Sequence, residues 1–407
     1  MTIPFRSLET FDGGVTTPRG FTAAGLYCGI KAAGRGLDLA LVVSDRPASM
    51  AAVFTTSQAP AAPVLVSRTH LATTGGRGRA VVVNSGCANA CTGAEGLSDA
   101  TEMATLTAAA VGCTAAEVLV ASTGVIGVNL KMAAIRSGIP AAVAALATDQ
   151  GAAAARAIMT TDPFPKETAA AITIGDRVVT VGGMAKGSGM IEPNMATMLG
   201  FITTDADIAP ALLAQALREV TDDTFNAITV DGECSTNDCV MAIANGASGV
   251  AIDADHYEAF TDALRAVCLR LALGIVRGGE GATKLVTVTV TGAADAAEAR
   301  RCAKAIGNSL LVKTAIHGGD PNWGRLIAVA GRAGVQFDLS RARVTIGPIT
   351  LFSAGRPHDE RAPDAAAYLK NDELTVGVDL GVGTAASTIW TCDLSAEYVR
   401  INAEYRT

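Results

Sequence analysis

Short apolar runs rich in β-branched residues alternate along the chain with longer alanine-rich stretches. The runs at 80–83, 118–121, 177–181, 227–230, 285–290, 344–346 and 374–378 have the length and residue types of strands. The stretches at 131–146, 210–220, 257–277 and 294–306 read as helices. Pro210 suits a first helical position. Gly292 makes a turn ahead of the last stretch, and Gly307 stops it. Helices and strands intermix from end to end, so the pattern predicts a layered α/β fold. No short-period repeat or low-complexity linker interrupts it, and domain boundaries are not readable from the pattern.

Composition narrows the class. The 407 residues are 49% hydrophobic and 17% charged, ample material for a core and unlike a disordered chain. A net charge of -7, with no basic run, argues against a nucleic-acid surface. The first residues, MTIPFRSLETFDGG, lack the apolar stretch of a signal peptide. The most apolar helical stretch, 264–276, is interrupted by Arg265 and Arg270 and is too short to span a bilayer. No membrane association is expected, and the expected location is the cytoplasm.

Two features invite chemical readings that their spacing does not support. GGMAKGSG (182–189) follows a strand and holds Lys186, but Gly187 stands where a phosphate-binding loop needs Ser or Thr. Turns are the simpler reading of these glycines. Cys87 and Cys91 lie close together, as do Cys234 and Cys239, yet none of the four histidines is near either pair. Buried structural thiols are therefore expected rather than a metal site.

Seven unusual segments remain, in this order: NSGCANACTG (84–93), ASTGVIG (121–127), MTTDPFPK (159–166), GGMAKGSGMIEPNMATML (182–199), TVDGECSTND (229–238), RGGEGATK (277–284) and HGGDPNWGR (317–325). Singly, each has an ordinary reading. Thr197 resembles any buried strand threonine, ASTGVIG a strand-to-loop turn, and Asp320, Asn322 and Arg325 a loop brace. Together the set closely resembles the ornithine acetyltransferase family, also called the bifunctional glutamate N-acetyltransferases. The likeness runs from GVTTPRGFTAAGLYCGIK, beginning at Gly14, to the final INAEYRT.

The resemblance implies an α-β-β-α sandwich of the kind shared with self-processing aminopeptidases. It implies a precursor that cuts itself between Ala196 and Thr197 into fragments 1–196 and 197–407, which fold together and assemble two of each. Thr197 is then the nucleophile, and Thr123 and Gly124 form the oxyanion hole. Thr160, Lys186, Thr197, Glu280, Asn402 and Thr407 bind substrate, with Lys186 suited to a carboxylate and Glu280 to an ammonium. The reaction implied is ping-pong transfer of acetyl from N-acetylornithine to glutamate, without metal or redox cofactor; acetyl-CoA is a second donor in some members. Glu192, Cys234 and Cys239 depart from the family pattern, which bears on substrate scope and cleavage rate. Two rivals are a self-processing aminopeptidase or amidase with the same nucleophile and a non-catalytic binding protein of the same fold.

Overall fold

The computed structural model describes residues 8–192 and 198–404. Its first unit holds β1 (Phe21–Leu26), β2 (Leu39–Phe54), α1 (Ala62–Thr74), β3 (Arg77–Cys87), α2 (Gly93–Val111), β4 (Val118–Val125), α3 (Met132–Ala144), α4 (Gly151–Ala157), β5 (Lys166–Ile174), β6 (Arg177–Lys186), β7 (Leu199–Thr204), α5 (Pro210–Asp223), β8 (Cys239–Ala244) and α6 (Tyr257–Arg277). The strands form one sheet in the order β4-β3-β2-β8-β7-β6-β5, with β1 also paired to β2.

Strand alternation explains how this sheet is covered. Val81, Val83, Leu119 and Ala121 face an inner core that they share with Met184, Leu199, Phe201 and Met241 of the other half-sheet. Their neighbours Ala80, Val82, Val118 and Val120 point the opposite way, onto Val66, Met103 and Ile135 of α1, α2 and α3. Across the sandwich, Val179, Val181, Val240 and Ala242 pack on Leu213 and Leu217 of α5 and Leu264 and Leu271 of α6. The order is helix, sheet, sheet, helix, as the family resemblance implies. β2 connects the halves. Its register with β3 shifts between Val43 and Ala48; the stretch before the shift also pairs with β1, the stretch from Ser49 with β8, and β3 pairs on both sides of the shift.

The second unit contains β9 (Leu285–Ala293), α7 (Ala296–Gly307), α8 (Leu310–Gly318), α9 (Trp323–Arg332), β10 (Arg343–Ile346), β11 (Ile349–Ser353), β12 (Arg356–Pro357), α10 (Ala362–Tyr368), β13 (Glu373–Asp379), β14 (Ala385–Cys392) and α11 (Ala396–Glu404). Its sheet runs β12-β11-β10-β13-β9-β14. Its own core gathers Val286, Val288, Ile306, Leu326, Val329 and Leu351. Trp390 and Cys392 of β14 belong instead to the first unit's core and join the two.

One expected strand is absent. The 227–230 run is a short 3-10 turn, Phe225–Ala227, followed by extended chain. The Thr229 N–H donates to Trp390 O at 2.9 Å and the Val230 N–H to Ile191 O at 2.7 Å. The segment threads between two separate partners, so no ladder forms. The other expected strands and helices are present, with ends moved by up to five residues, as where the strand expected at 177–181 runs on to Lys186. Among the described residues, no helix is long and apolar enough to cross a membrane.

Candidate active site

Thr123 and Gly124 lie near the end of β4, where its parallel pairing with β3 becomes irregular at Gly86 and Cys87. Gly124 has φ +129°, and a Cβ there would strike the Gly86–Cys87 backbone. Only glycine fits this approach. The Thr123 side chain meets Lys186, at the end of β6, whose Nζ donates to Thr123 Oγ1 at 3.1 Å. Both residues are buried.

The chain around Lys186 is fixed by Asp162. Its Oδ1 accepts from the Gly187 N–H at 2.7 Å and from Lys166 Nζ at 2.6 Å, and its Oδ2 accepts from the Thr160 N–H at 3.0 Å. Burial works to raise the Asp162 carboxyl, but the charges of Lys166 and Lys186 and these hydrogen bonds outweigh it and hold the group at about 2. One carboxylate therefore sets the MTTD loop and the turn after Lys186 together.

Glu280, in the turn after α6, is the hub of the opposite wall. Its Oε1 accepts from Thr161 Oγ1 at 2.7 Å and its Oε2 from Asn402 Nδ2, on α11, at 2.8 Å. The Glu280 N–H donates to Ser188 O at 2.8 Å. A Cβ on Gly189 would collide with the Glu280 carboxylate, so glycine at 189 makes its seat. Beside it, Asp231 accepts from the Met190 and Ile191 N–H groups, each at 2.7 Å, and from Tyr398 Oη at 3.2 Å. Burial and the Asp231 charge push the Tyr398 phenol up.

These groups line one cavity of about 140 Å³. It brings together Thr123, Gly124, Thr160, Lys186, Glu280 and Asn402, every described residue that the sequence marked for chemistry or binding. Ala196, Thr197 and Thr407 lie outside the described residues. Met198 and Leu199, which follow Thr197 in sequence, line the same cavity.

Sequence reasoning missed several lining groups: Thr161, Asp231, Glu233, Asn237, Asp238 and Tyr398. The first five lie inside motifs already singled out, but nothing in the spacing says which motif residue faces inward. Thr161, rather than Thr160, holds the Glu280 carboxylate.

The departures from the family pattern have separate explanations. Glu192 accepts from Asn308 Nδ2, lies 3.9 Å from Lys304 Nζ, and ties the chain before 193–197 to the end of α7. Cys239 is buried in β8 and Cys87 in β3, whereas Cys91 and Cys234 are exposed, so only half of the paired cysteines are core thiols. β3 ends at Cys87 and β8 begins at Cys239, so Cys91 and Cys234 fall in the adjoining loops. The HGGDPNWGR segment is a helix junction: Gly319 ends α8 in the left-handed region, and Asn322 Oδ1 caps α9 through the Arg325 N–H at 3.1 Å. Among the described residues, no cluster of three or more His, Cys, Asp or Glu is placed to hold a metal ion.

A model of the ArgJ family matches residues 22–407. The arginine biosynthesis bifunctional protein ArgJ of Symbiobacterium thermophilum is 52% identical over 406 residues, covering 98% of this chain and 100% of the relative. Its namesake from a Synechococcus species is 52% identical over 414 residues, covering 98% and 99%. A crystal structure of arginine biosynthesis bifunctional protein argJ from Bacillus halodurans matches at 45% identity with TM-score 0.50, covering 51% of this chain and 100% of that chain.

Proposed function

We infer the chemistry from one premise: the chain belongs to the ArgJ family. It is an acyltransferase of arginine biosynthesis that moves acetyl from N-acetylornithine to glutamate. In our reading, Thr197 carries both the self-cleavage and the transfer. Its hydroxyl attacks the Ala196 carbonyl, an ester replaces the peptide bond, and water hydrolyses the ester. The α-amine released has an ordinary pKa of about 7.7–8.0, so at neutral pH roughly a tenth or more is free to accept the hydroxyl proton. The Thr197 hydroxyl, thus activated, attacks the acetyl carbonyl of N-acetylornithine; ornithine leaves, and glutamate then takes the acetyl group.

The oxyanion formed in each step is assigned to the Thr123 hydroxyl and the Gly124 amide. A hydroxyl has one proton to donate and two lone pairs to accept with. Because Lys186 donates to Thr123 Oγ1, the threonine's own proton is left for the developing oxyanion. Lys186 is assigned the substrate α-carboxylate and Glu280 the ornithine ammonium, with Thr160, Asn402 and Thr407 completing the pocket. The observation that carries this reading is the cavity itself. Its lining is drawn from both sides of residues 193–197 and includes all the described candidates.

The processed protein is proposed to be fragments 1–196 and 197–407, two of each, in the cytoplasm. A wholly covered solved relative that matches only 51% of this chain supports fragments of about half-length. No metal or redox cofactor is part of the proposal, and acetyl-CoA is proposed as an alternative donor.

Mass spectrometry of the purified protein tests the reading. The expected result is two fragments, the second beginning at Thr197 and gaining an acetyl adduct from N-acetylornithine. Thr197→Ala is expected to stay one inactive chain. Cleavage of that variant at the same bond, or hydrolysis of N-acetylornithine with no transfer to glutamate, would overturn it.

A further inference from the structure

Asp231 lines the active-site cavity but has no part in the chemistry above. Its two oxygens take four hydrogen bonds: Oδ1 accepts from the Ile191 N–H at 2.7 Å and the Glu233 N–H at 3.3 Å, and Oδ2 from the Met190 N–H at 2.7 Å and Tyr398 Oη at 3.2 Å. The donors come from the loop after β6, from the loop before β8 and from α11. Met190 sits in the left-handed region, at φ +58°, where a side-chain-bearing residue rarely stays unless its surroundings hold it. Two successive N–H groups on one carboxylate supply that hold.

Both arms of this grip end at Glu280. Met190 follows Gly189, whose bare α-carbon seats the Glu280 carboxylate. Tyr398 lies one helical turn before Asn402, whose Nδ2 donates to Glu280 Oε2 at 2.8 Å and to Tyr398 O at 3.0 Å. The chain entering α11 is tied to the same turn, since Ser395 Oγ donates to Gly281 O at 2.6 Å. α11 buries none of its residues fully, so contacts such as these, rather than a buried apolar face, keep it over the cavity. We propose that Asp231 is a positioning residue for donor specificity. By holding Met190 and Tyr398 together it fixes the seat of Glu280 on one side and Asn402 on the other, and so how closely that carboxylate meets the ornithine ammonium. The proposal rests on the reading of Glu280 as the ammonium's partner.

Asparagine at 231 would break the grip without changing its size. Its side chain has one accepting oxygen and one donating NH2. Whichever way it turns, the NH2 faces a backbone N–H, that of Met190 in one orientation and of Ile191 in the other. Two donors cannot satisfy each other, so the turn beside Gly189 must shift. Tyr398→Phe is the milder probe, because it removes one oxygen from a half-buried side chain and leaves Asp231 in place.

The test is a double-mutant cycle on single-turnover acetylation by N-acetylornithine at varied concentration. Asp231→Asn and Tyr398→Phe are each made in the wild-type sequence and in Glu280→Gln. In the wild-type background Asp231→Asn is expected to lower the second-order rate constant about tenfold or more, and Tyr398→Phe about threefold or more, with most of the loss in the concentration needed for half-maximal rate. In Glu280→Gln each loss should shrink to about twofold or less, because the carboxylate being positioned is gone. Losses that persist in full in Glu280→Gln overturn the proposal, since a general loosening of the site is indifferent to residue 280. Wild-type acetylation in Tyr398→Phe also overturns it; that result would leave Asp231 as a direct ligand of the ammonium, which needs no help from Tyr398. If Asp231→Asn fails to fold or to cleave, the Tyr398→Phe cycle decides by the same two criteria. The underlying reading fails separately. Glu280→Gln alone that slows acetylation and deacetylation by glutamate equally overturns the ammonium assignment and the proposal with it, whereas an ammonium-selective Glu280 with additive losses overturns the role of Asp231 alone.

Discussion

Replacing Glu280 with glutamine changes charge while leaving shape almost untouched. Glu280 is 7% exposed, and both its oxygens are engaged by Thr161 Oγ1 and Asn402 Nδ2. Glutamine can keep both contacts. Its carbonyl accepts from Asn402, and its amide donates to Thr161, which turns its own proton to Ser188 Oγ, 2.6 Å away. No buried group is orphaned, so stability should change by no more than about 1 kcal/mol. What is lost is the proposed partner for the ornithine ammonium. A hydrogen bond to a charged group contributes roughly 1.5–3 kcal/mol, or about 10–200-fold in kcat/KM. The assay separates the half-reactions, with single-turnover acetylation of the enzyme by N-acetylornithine and deacetylation of the acetyl-enzyme by glutamate. Acetylation should fall by that order. Deacetylation should fall less, since glutamate brings a carboxylate to the same end of the pocket and gains from the loss of repulsion. Equal losses in both would mean that Glu280 serves a group common to the two substrates. A large drop in melting temperature would mean that its role is to brace Thr161 and Asn402.

Thr123→Val should fold and bind substrate, yet lose about 10²–10³-fold in kcat, the usual cost of one oxyanion donor, while Thr123→Ser keeps most of the rate; near-wild-type turnover in Thr123→Val would remove Thr123 from the mechanism. Asp162 should make the fold acid-sensitive. Its folded pKa of about 2 lies below the unfolded value of about 3.9, so its contribution is present above about pH 4 and lost as pH falls towards 2. Urea melts of wild type and Asp162→Asn should therefore converge on acidification, and a constant gap between them across that window would refute the assignment.

The sequence disclosed elements whose pattern was local. The helix at 257–277 ends where expected because its apolar residues repeat at helical spacing up to the glycines at 278 and 279. β2 was hidden, because Asp45, Arg46 and Pro47 interrupt its apolar run as a turn would; the structure carries them as an exposed irregularity within one 16-residue strand. β8, CVMAIA, is buried on both faces and shows no alternation to find. The 227–230 run has strand composition, but its partners are single residues far away in sequence. At the site, motif resemblance marked Lys186 and Glu280, while Thr161 and Asp238 passed unnoticed. Aspartate is read as a surface residue by default, and only the folded chain shows Asp238 buried beside Met198.

The sheet order also bears on why a cut between 196 and 197 is tolerable. β7 and β8, which follow that bond, lie between β2 and β6, which precede it. β8 pairs with β2 over six residues from Ser49 to Phe54, and β7 with β6 from Val181 to Lys186. The two ladders flank an inner core shared by Met50 and Val81 on one side and Phe201 and Met241 on the other. Separating the proposed fragments would expose both ladders and that core at once, so the break would remove one covalent link from an assembly that hydrogen bonds and packing already hold. The site is built across the same division. Thr123, Gly124, Thr160 and Lys186 come from before the cut, and Asp238, Glu280 and Asn402 from after it. Under the proposed cleavage, a nucleophile freed at the junction would gain an amine while the walls of its pocket stay interlocked through the strands on either side.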